Sequence, residues 1–292
     1  MGRACAKTIL FGEHAVVYGY PGIAVPLNDF YTEVLAKKSD NLIVRTSFKL
    51  DKNENDKVTS LVTFLKNELN INTFSLDITS NFPVSSGFGS SASLSVAVIR
   101  ELNNFFSLSL NKDYIEKLSF ECEKIFHGNP SGIDTAVINH ETPVFFENHR
   151  ITNFLVEKPI YLVVANSGEK SDTKIAVSNV RNLYEKSKEE IERIFMDISK
   201  VTNKARDAII NDNAIEIGRL MTMNHNLLRM LNVSTDKLDR LVSVSLENGA
   251  YGAKLAGAGM GGNVIAICEK EKCSLLKEEL MKYSGHVYVL EI

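Results

Sequence analysis

Apolar residues recur along this chain at two spacings, and the change from one to the other marks out its elements. FSLDITS at 74–80 alternates apolar and polar positions, the period of a strand with one buried face, whereas KVTSLVTFLKNEL at 57–69 repeats its apolar positions at helical spacing. The opening TILFGEHAVVYG is apolar and rich in β-branched residues, and the runs TEVLAKK and NLIVRTS that follow read as strands. A helix is predicted from about Ser91 to Phe106, and a second from Asn111–Asp113 to Gly128, with Asn111 as a capping residue and Gly128 as the stop. In that second helix Ile115, Leu118, Cys122 and Ile125 form the core stripe, which leaves Glu123 about 100° off it. Further on, IYLVVANSG reads as a buried strand and the stretch from Asp172 to Asn248 as helix-rich. KLAGAGMGGNVIAIC then reads as two strands joined by glycines, SLLKEELMKY as a helix and HVYVLEI as a closing strand. Strands and helices mix without regular alternation, so an α+β fold is expected in both halves, divided near 150–158 into segments 1–157 and 158–292.

Composition removes several functional classes. With 292 residues, 44% of them hydrophobic, the chain is long enough for about two domains with their own cores. A formal charge of −3, from 33 basic and 36 acidic residues, carries no electrostatic footprint for nucleic acid or an anionic membrane, so small-molecule chemistry is the expectation. No apolar run approaches the length of a membrane span or a secretion signal. Four scattered cysteines without metal-type pairing read as reduced thiols, which makes the cytoplasm the expected compartment.

The chemistry is concentrated in four segments. PVSSGFGSSAS at 83–93 opens directly into a helix, an arrangement that turns backbone N–H groups and the positive end of the helix dipole toward an anion. It is not the P-loop GxxxxGK[ST], because Ser90 follows Gly89 where a lysine is needed. A capped helix after a tight turn is the plain alternative for this segment alone. The other three are KTILFGEHAVVYG at 7–19, HGNPSGID at 127–134 and KLAGAGMGGNVIAI at 254–267. Taken singly, Lys7 reads as a surface residue at a strand end, Glu123 as one solvated helix glutamate among Glu116 and Glu121, Asp134 as a helix cap and His14 as a structural histidine. No histidine spacing points to a transition-metal site.

Together, in this order and spacing, the four segments resemble the superfamily of galactokinase, homoserine kinase, mevalonate kinase and phosphomevalonate kinase (the GHMP kinases), and the resemblance runs over essentially the whole chain. It implies a two-domain α+β kinase fold, with an N-terminal domain like domain 2 of ribosomal protein S5 and a ferredoxin-like C-terminal domain. It also implies phosphorylation of an alcohol by ATP with Mg²⁺. On that resemblance Ser85, Ser86, Gly87, Phe88, Gly89, Ser90 and Ser91 hold the triphosphate, Ser91 and Glu123 ligate Mg²⁺, and Asp134 and Lys7 act at the acceptor hydroxyl. Glu13, His14 and, more remotely, Thr173 fall on the acceptor side, and the glycines 257–262 would brace the site. The GEHAVVYG form implies mevalonate as acceptor, phosphorylated on its primary hydroxyl, with ATP as the other partner, no nucleic acid or membrane partner, and a homodimer compatible with it.

Departures from the family pattern are Cys5-Ala6 where Pro-Gly is usual, Phe88 for leucine and Met260 for glycine. Alternatives remain at this stage. Phosphomevalonate kinases tend to carry tyrosine at the position of His14, galactokinases favour GEHTDY, and the related decarboxylases lack the GEH segment. A non-catalytic metabolite sensor would have lost Lys7, Glu123 or Asp134, all of which are present.

Overall fold

The computed structural model describes residues 1–83, 87–128, 130–148 and 150–292. Two compact units are interleaved along the chain. The first comprises Met1–Lys7 and Pro26–Glu141, the second Thr8–Val25 and Thr142–Ile292. This division differs from the sequential one at 157/158, because β1 (Gly2–Phe11) and β2 (Gly22–Lys38) each run from one unit into the other.

In the first unit β2 lies antiparallel to β4 (Phe74–Ser80), pairing Thr32 with Ser80 through to Lys38 with Phe74. Between them in sequence come β3 (Ile43–Thr46) and α1 (Lys52–Glu68), and β3 pairs parallel to β4, so β3-α1-β4 is one βαβ crossover. Helix α1 begins five residues before the apolar periodicity does. Asp51 accepts from the Glu54 amide and Glu54 from the Asp51 amide, a reciprocal cap that extends the helix over polar residues. Val58, Leu61, Val62 and Leu65 bury its inner face. Helix α2 (Ser90–Phe105) is central and is buried at every position from Ala92 to Ile99. It is followed by α3 (Lys112–His127), capped by Asn111 as its sequence indicates, and by α4 (Ile133–His140). Along α3 the buried stripe is Ile115, Leu118, Ser119, Cys122 and Glu123, with Ile125 only half-buried. Helix α4 was not apparent in the sequence, since only eight residues follow the turn chemistry of Pro130 and Gly132.

The second unit includes the hairpin β5 (Val144–Glu147) and β6 (Arg150–Asn153), and β5 pairs with Gly22–Ala24 of β2. A four-stranded antiparallel sheet follows. Its strands are β7 (Tyr161–Asn166), β8 (Gly252–Ala256), β9 (Asn263–Ile267) and β10 (His286–Glu291), in the order β10-β7-β9-β8. With α9 (Cys273–Met281) between β9 and β10 this is the ferredoxin-like order. Four helices separate β7 from β8: α5 (Thr173–Lys186), α6 (Lys188–Ile210), α7 (Ala214–Met230) and α8 (Asp236–Glu247). Asp172, Asn213 and Thr235 cap α5, α7 and α8 through their side chains. Where α7 crosses β8, Gly218 and Gly252 meet so closely that a Cβ on either would overlap the other's neighbourhood. Among the described residues no helix is long and apolar enough to cross a membrane.

His225, on α7, is buried. Its Nδ1 accepts from the Leu255 amide at 3.3 Å, so its Nε2 carries the proton and donates to Asp239 at 3.1 Å. Burial outweighs Asp239 and pulls its pKa down to about 4. Protonation is then easier unfolded than folded, so stability is unaffected above pH 6.5 and falls as pH drops from 6.5 toward 4. His225→Gln should flatten that acid limb by at most about 3 kcal/mol, read from urea unfolding at pH 7, 5.5 and 4.5. An unchanged acid limb would show that His225 titrates normally in the fold.

Candidate active site

In the first unit, residues named from the sequence on β1, α2, α3 and α4 converge around the start of α2. Gly89 is the N-cap residue, in a left-handed conformation (φ 71°), and offers no side-chain cap. The first helical bond runs from the Ser93 amide to the Gly89 carbonyl, so the preceding N–H groups open the helix with its positive dipole end. Lys7 runs directly beneath. Its amide donates to the Phe88 carbonyl at 2.9 Å, and a Cβ on Gly89 would lie 2.6 Å from Lys7 Cε. Glycine at 89 therefore answers two demands, a positive φ and room for the lysine stem. Phe88, the larger residue at its position, is buried edge-on against Phe30 at 5.2 Å and Phe82 at 6.3 Å, which anchors the loop from below. Gly87 is exposed, Ser90 and Ser91 are half-buried, and Ser85 and Ser86 lie outside the described residues.

Lys7 Nζ is 2.7 Å from Asp134 Oδ1. The lysine side chain is 5% exposed and the aspartate 30%, so the pair has one buried member and one that faces solvent. Asp134 sits in the first turn of α4, where a carboxylate is favoured by the helix dipole; the capping position itself is taken by Gly132.

Glu123 is the third part. It is buried, its Oε2 accepts from Ser91 Oγ at 3.2 Å, and its Oε1 has no hydrogen-bond partner. Burial, together with the nearby negative charge of Asp134, pushes its pKa up to about 8 despite the Ser91 bond and Lys7. His127 Nε2 lies 3.0 Å from Ser91 Oγ and 3.6 Å from Glu123 Oε2. Such a carboxylate, with an idle buried oxygen, gains from a cation beside it. Among the described residues no three acidic, histidine or cysteine side chains form a preformed metal cage. A small hard cation takes few protein oxygens and completes its shell with phosphate and water.

Glu13 and His14 belong to the second unit. His14 has φ 62° and ψ −49°, and the Ala15 amide bonds back to the Glu13 carbonyl at 2.7 Å, a γ-turn of the strained positive-φ kind. Its Nε2 donates to the Ala258 carbonyl at 2.8 Å, and burial lowers its pKa to about 4. Glu13 Oε1 is paired with Lys254 Nζ and its Oε2 accepts from Asn224 Nδ2 at 3.2 Å. Both charges of the Glu13–Lys254 pair are fully enclosed. The glycine loop between β8 and β9 is stitched to its own unit: Met260 N bonds to the Val233 carbonyl, Gly262 N to the Glu169 carbonyl, and Ser171 Oγ to the Gly259 carbonyl at 2.6 Å. Thr173 is exposed as the first residue of α5 and is not gathered into this group.

Sequence reasoning missed Lys254, Asn224 and His127. A signal for the first was present: a lysine amid the small and apolar residues GAKLA, a strand the structure buries along its whole length, requires an internal partner. His127, directly before Gly128, reads as an ordinary end-of-helix residue, and nothing in the spacing of Asn224 distinguishes it from a surface asparagine of α7.

Residues 56–141 match the family model described as GHMP kinases N terminal domain, and residues 205–283 the one described as GHMP kinases C terminal. The chain is similar to the mevalonate kinase of Thermococcus onnurineus (strain NA1), 33% identical over 93% of this chain and 90% of that protein. It is likewise 33% identical to the mevalonate kinase of Methanocaldococcus jannaschii, over 97% and 96%. Among solved structures, Methanococcus jannaschii mevalonate kinase matches with a TM-score of 0.82 at 32% identity, covering 99% of this chain and 96% of that one. L. major mevalonate kinase in complex with R-mevalonate shares the fold at a TM-score of 0.90 and 24% identity, covering 100% and 95%.

The environment of Glu123 makes a prediction about the unliganded protein. A carboxyl whose folded pKa lies near 8 leaves stability intact below pH 4.5 and erodes it as pH rises toward 8. Glu123→Gln should therefore unfold like wild type at pH 4 but be more stable at pH 8, by on the order of 3 kcal/mol. Denaturant titrations at both pH values check this, and a variant less stable at pH 8 would mean that the carboxylate is well solvated or paired.

Proposed function

The chain belongs to the GHMP kinases, and from that premise we propose that it transfers the γ-phosphoryl group of ATP to the primary (C5) hydroxyl of (R)-mevalonate, giving 5-phosphomevalonate. The observation that carries the reading is the Lys7–Asp134 pair at 2.7 Å, whose lysine runs beneath Gly89 at the N-terminus of α2, and this supports a carboxylate and an ammonium working beside a helix end that favours anions. The two archaeal relatives that the chain matches over nine-tenths of its length are mevalonate kinases, and this supports mevalonate over phosphomevalonate or galactose as acceptor.

In this reading the backbone of 87–91 receives the β- and γ-phosphates. The N-terminus of α2 supplies a fixed positive potential where charge gathers in the transition state, and needs no reorganisation to do so. Asp134, with one oxygen engaged by Lys7, orients the acceptor hydroxyl through its carboxylate and takes up the proton as the oxygen attacks phosphorus. Lys7 stabilises the alkoxide character that develops on that oxygen. As the new O–P bond forms, the bond to the bridging oxygen breaks and ADP departs with the electron pair. Glu123 Oε1 and Ser91 Oγ are the side-chain oxygens that would hold Mg²⁺; when bound, the ion neutralises charge on the β- and γ-phosphates. His14 and its turn serve the acceptor.

Coupled ADP release should be seen with (R)-mevalonate and not with phosphomevalonate, galactose or homoserine. Turnover of phosphomevalonate or galactose without mevalonate would overturn the assignment. Asp134→Asn keeps the shape of the side chain and should lower single-turnover phosphorylation by roughly 10²- to 10⁴-fold. Its ATP affinity, measured separately, should stay near wild type, because nucleotide contacts are assigned to 87–91. If this variant turns over within a few-fold of wild type, Asp134 has no part in handling the hydroxyl.

A further inference from the structure

The turn at His14 is held in a conformation that its own sequence does not favour. A histidine with φ 62° closing an i to i+2 bond stores strain, and such a turn persists only when its surroundings fix it from more than one side. Two anchors do so. On one side the imidazole Nε2 is bonded to the Ala258 carbonyl. On the other, the preceding Glu13 is bound through both carboxylate oxygens, to Lys254 and to Asn224. Lys254 Nζ also donates to the Leu255 carbonyl at 2.7 Å, which ties the ammonium to β8. With each oxygen bonded inside the fold and only 1% of its side chain exposed, Glu13 is enclosed rather than presented to an acceptor.

We propose that Lys254 and Asn224 are positioning residues for the acceptor alcohol: by clamping Glu13 inside the second unit they hold His14 in its strained turn, so that the GEH segment acts through His14 and not through a contact from Glu13. The clamp sets the ring. With Nε2–H committed to Ala258, Nδ1 is the acceptor nitrogen of the neutral ring, and one orientation of it is presented for a hydroxyl of the substrate. A buried ion pair is a poor source of net stability but an effective means of fixing one geometry, which is the role this position requires. Asn224 completes the arrangement. Its Nδ2 supports Glu13 while its Oδ1 is buried without a partner, an imperfection that a purely structural asparagine would not be expected to keep.

This inference rests on the proposed reading that the acceptor is mevalonate, and its test separates the two. Wild-type turnover with mevalonate is measured first; its absence overturns that reading alone, while the state of the His14 ring, observed by long-range ¹⁵N–¹H NMR, still tests the clamp. The variants are Glu13→Gln, Asn224→Ala, their double, and the uncharged pair Glu13→Gln/Lys254→Met, which avoids leaving a lone buried charge. Each should raise the KM for mevalonate, by at least about tenfold for Glu13→Gln, with the KM for MgATP within about twofold of wild type. The Glu13→Gln/Asn224→Ala double should be no worse than Glu13→Gln alone, because the two residues act through one clamp. His14 should be a single Nε2–H tautomer in wild type and a mixture in the variants. Multiplying effects in the double would make Glu13 a direct ligand of the acceptor and overturn the proposal. So would an unchanged KM for mevalonate in Asn224→Ala and the uncharged pair, or equal losses toward both substrates with the His14 tautomer intact.

Discussion

An ammonium group taken out of water is tolerated only beside a carboxylate, and that constraint organises the chemistry of both units. Lys7 and Lys254 are 4% and 0% exposed, and each meets one acidic partner far away in sequence: Asp134 for the first, Glu13 for the second. Removing either partner would leave a buried charge uncompensated, a loss of about 3–5 kcal/mol in comparable settings. Position is therefore enforced strongly. The start of α4 must come to Lys7, and the turn after β1 must come to β8.

The two pairs differ in what they leave open. Glu13–Lys254 is enclosed, with an asparagine amide on the carboxylate and a backbone carbonyl on the ammonium, so its part is to hold geometry. Lys7–Asp134 is closed at the lysine and open at the aspartate, so the same interaction that satisfies Lys7 also presents a carboxylate to whatever enters. Glu123 stands apart from both. It is buried as deeply as Glu13 but has only a serine hydroxyl as a hydrogen-bond partner, and its pKa rises accordingly. Within one unit, then, a satisfied carboxylate and an unsatisfied one lie near enough for the charge of one to raise the pKa of the other. A buried carboxylate left in that state is the kind of group whose charged form a neighbouring positive charge favours.

Much of this was legible in the chain because the residues concerned break a local pattern. Serines and glycines at a helix start, an acidic residue in the buried stripe of α3, and the turn residues Pro130 and Gly132 ahead of a short helix each depart from what packing alone would select. Asn111, Gly128 and the alternation of β4 fixed their elements almost to the residue. What stayed hidden was non-local. The polar first turn of α1 depends on a reciprocal cap, and β1 begins at Gly2 because Ala4, Cys5 and Ala6 are small enough to be buried, a property that carries no periodic signature. The division of the chain was hidden for a related reason, since two strands each cross from unit to unit without any change in composition.

The boundary within β1 also explains why a single motif carries two kinds of chemistry. KTILFGEH begins with Lys7, the last residue of a segment of the first unit, and passes at Thr8 into the second, where Glu13 and His14 lie. A linear motif of this kind is conspicuous because one short stretch must satisfy two sets of partners. Lys7 has to fit under Gly89 and reach Asp134, while Glu13, six residues on, must reach Lys254 and Asn224. Along a strand the side chains alternate, so residues 7 and 13 share a parity, but Gly12, with φ 92°, and the γ-turn at His14 break the strand geometry before that parity can place Glu13. The direction of Glu13 is thus decided by the turn and by its buried partners together. The glycine, the strained histidine and the ion pair are one device, and none of the three is explained by its own neighbours in sequence.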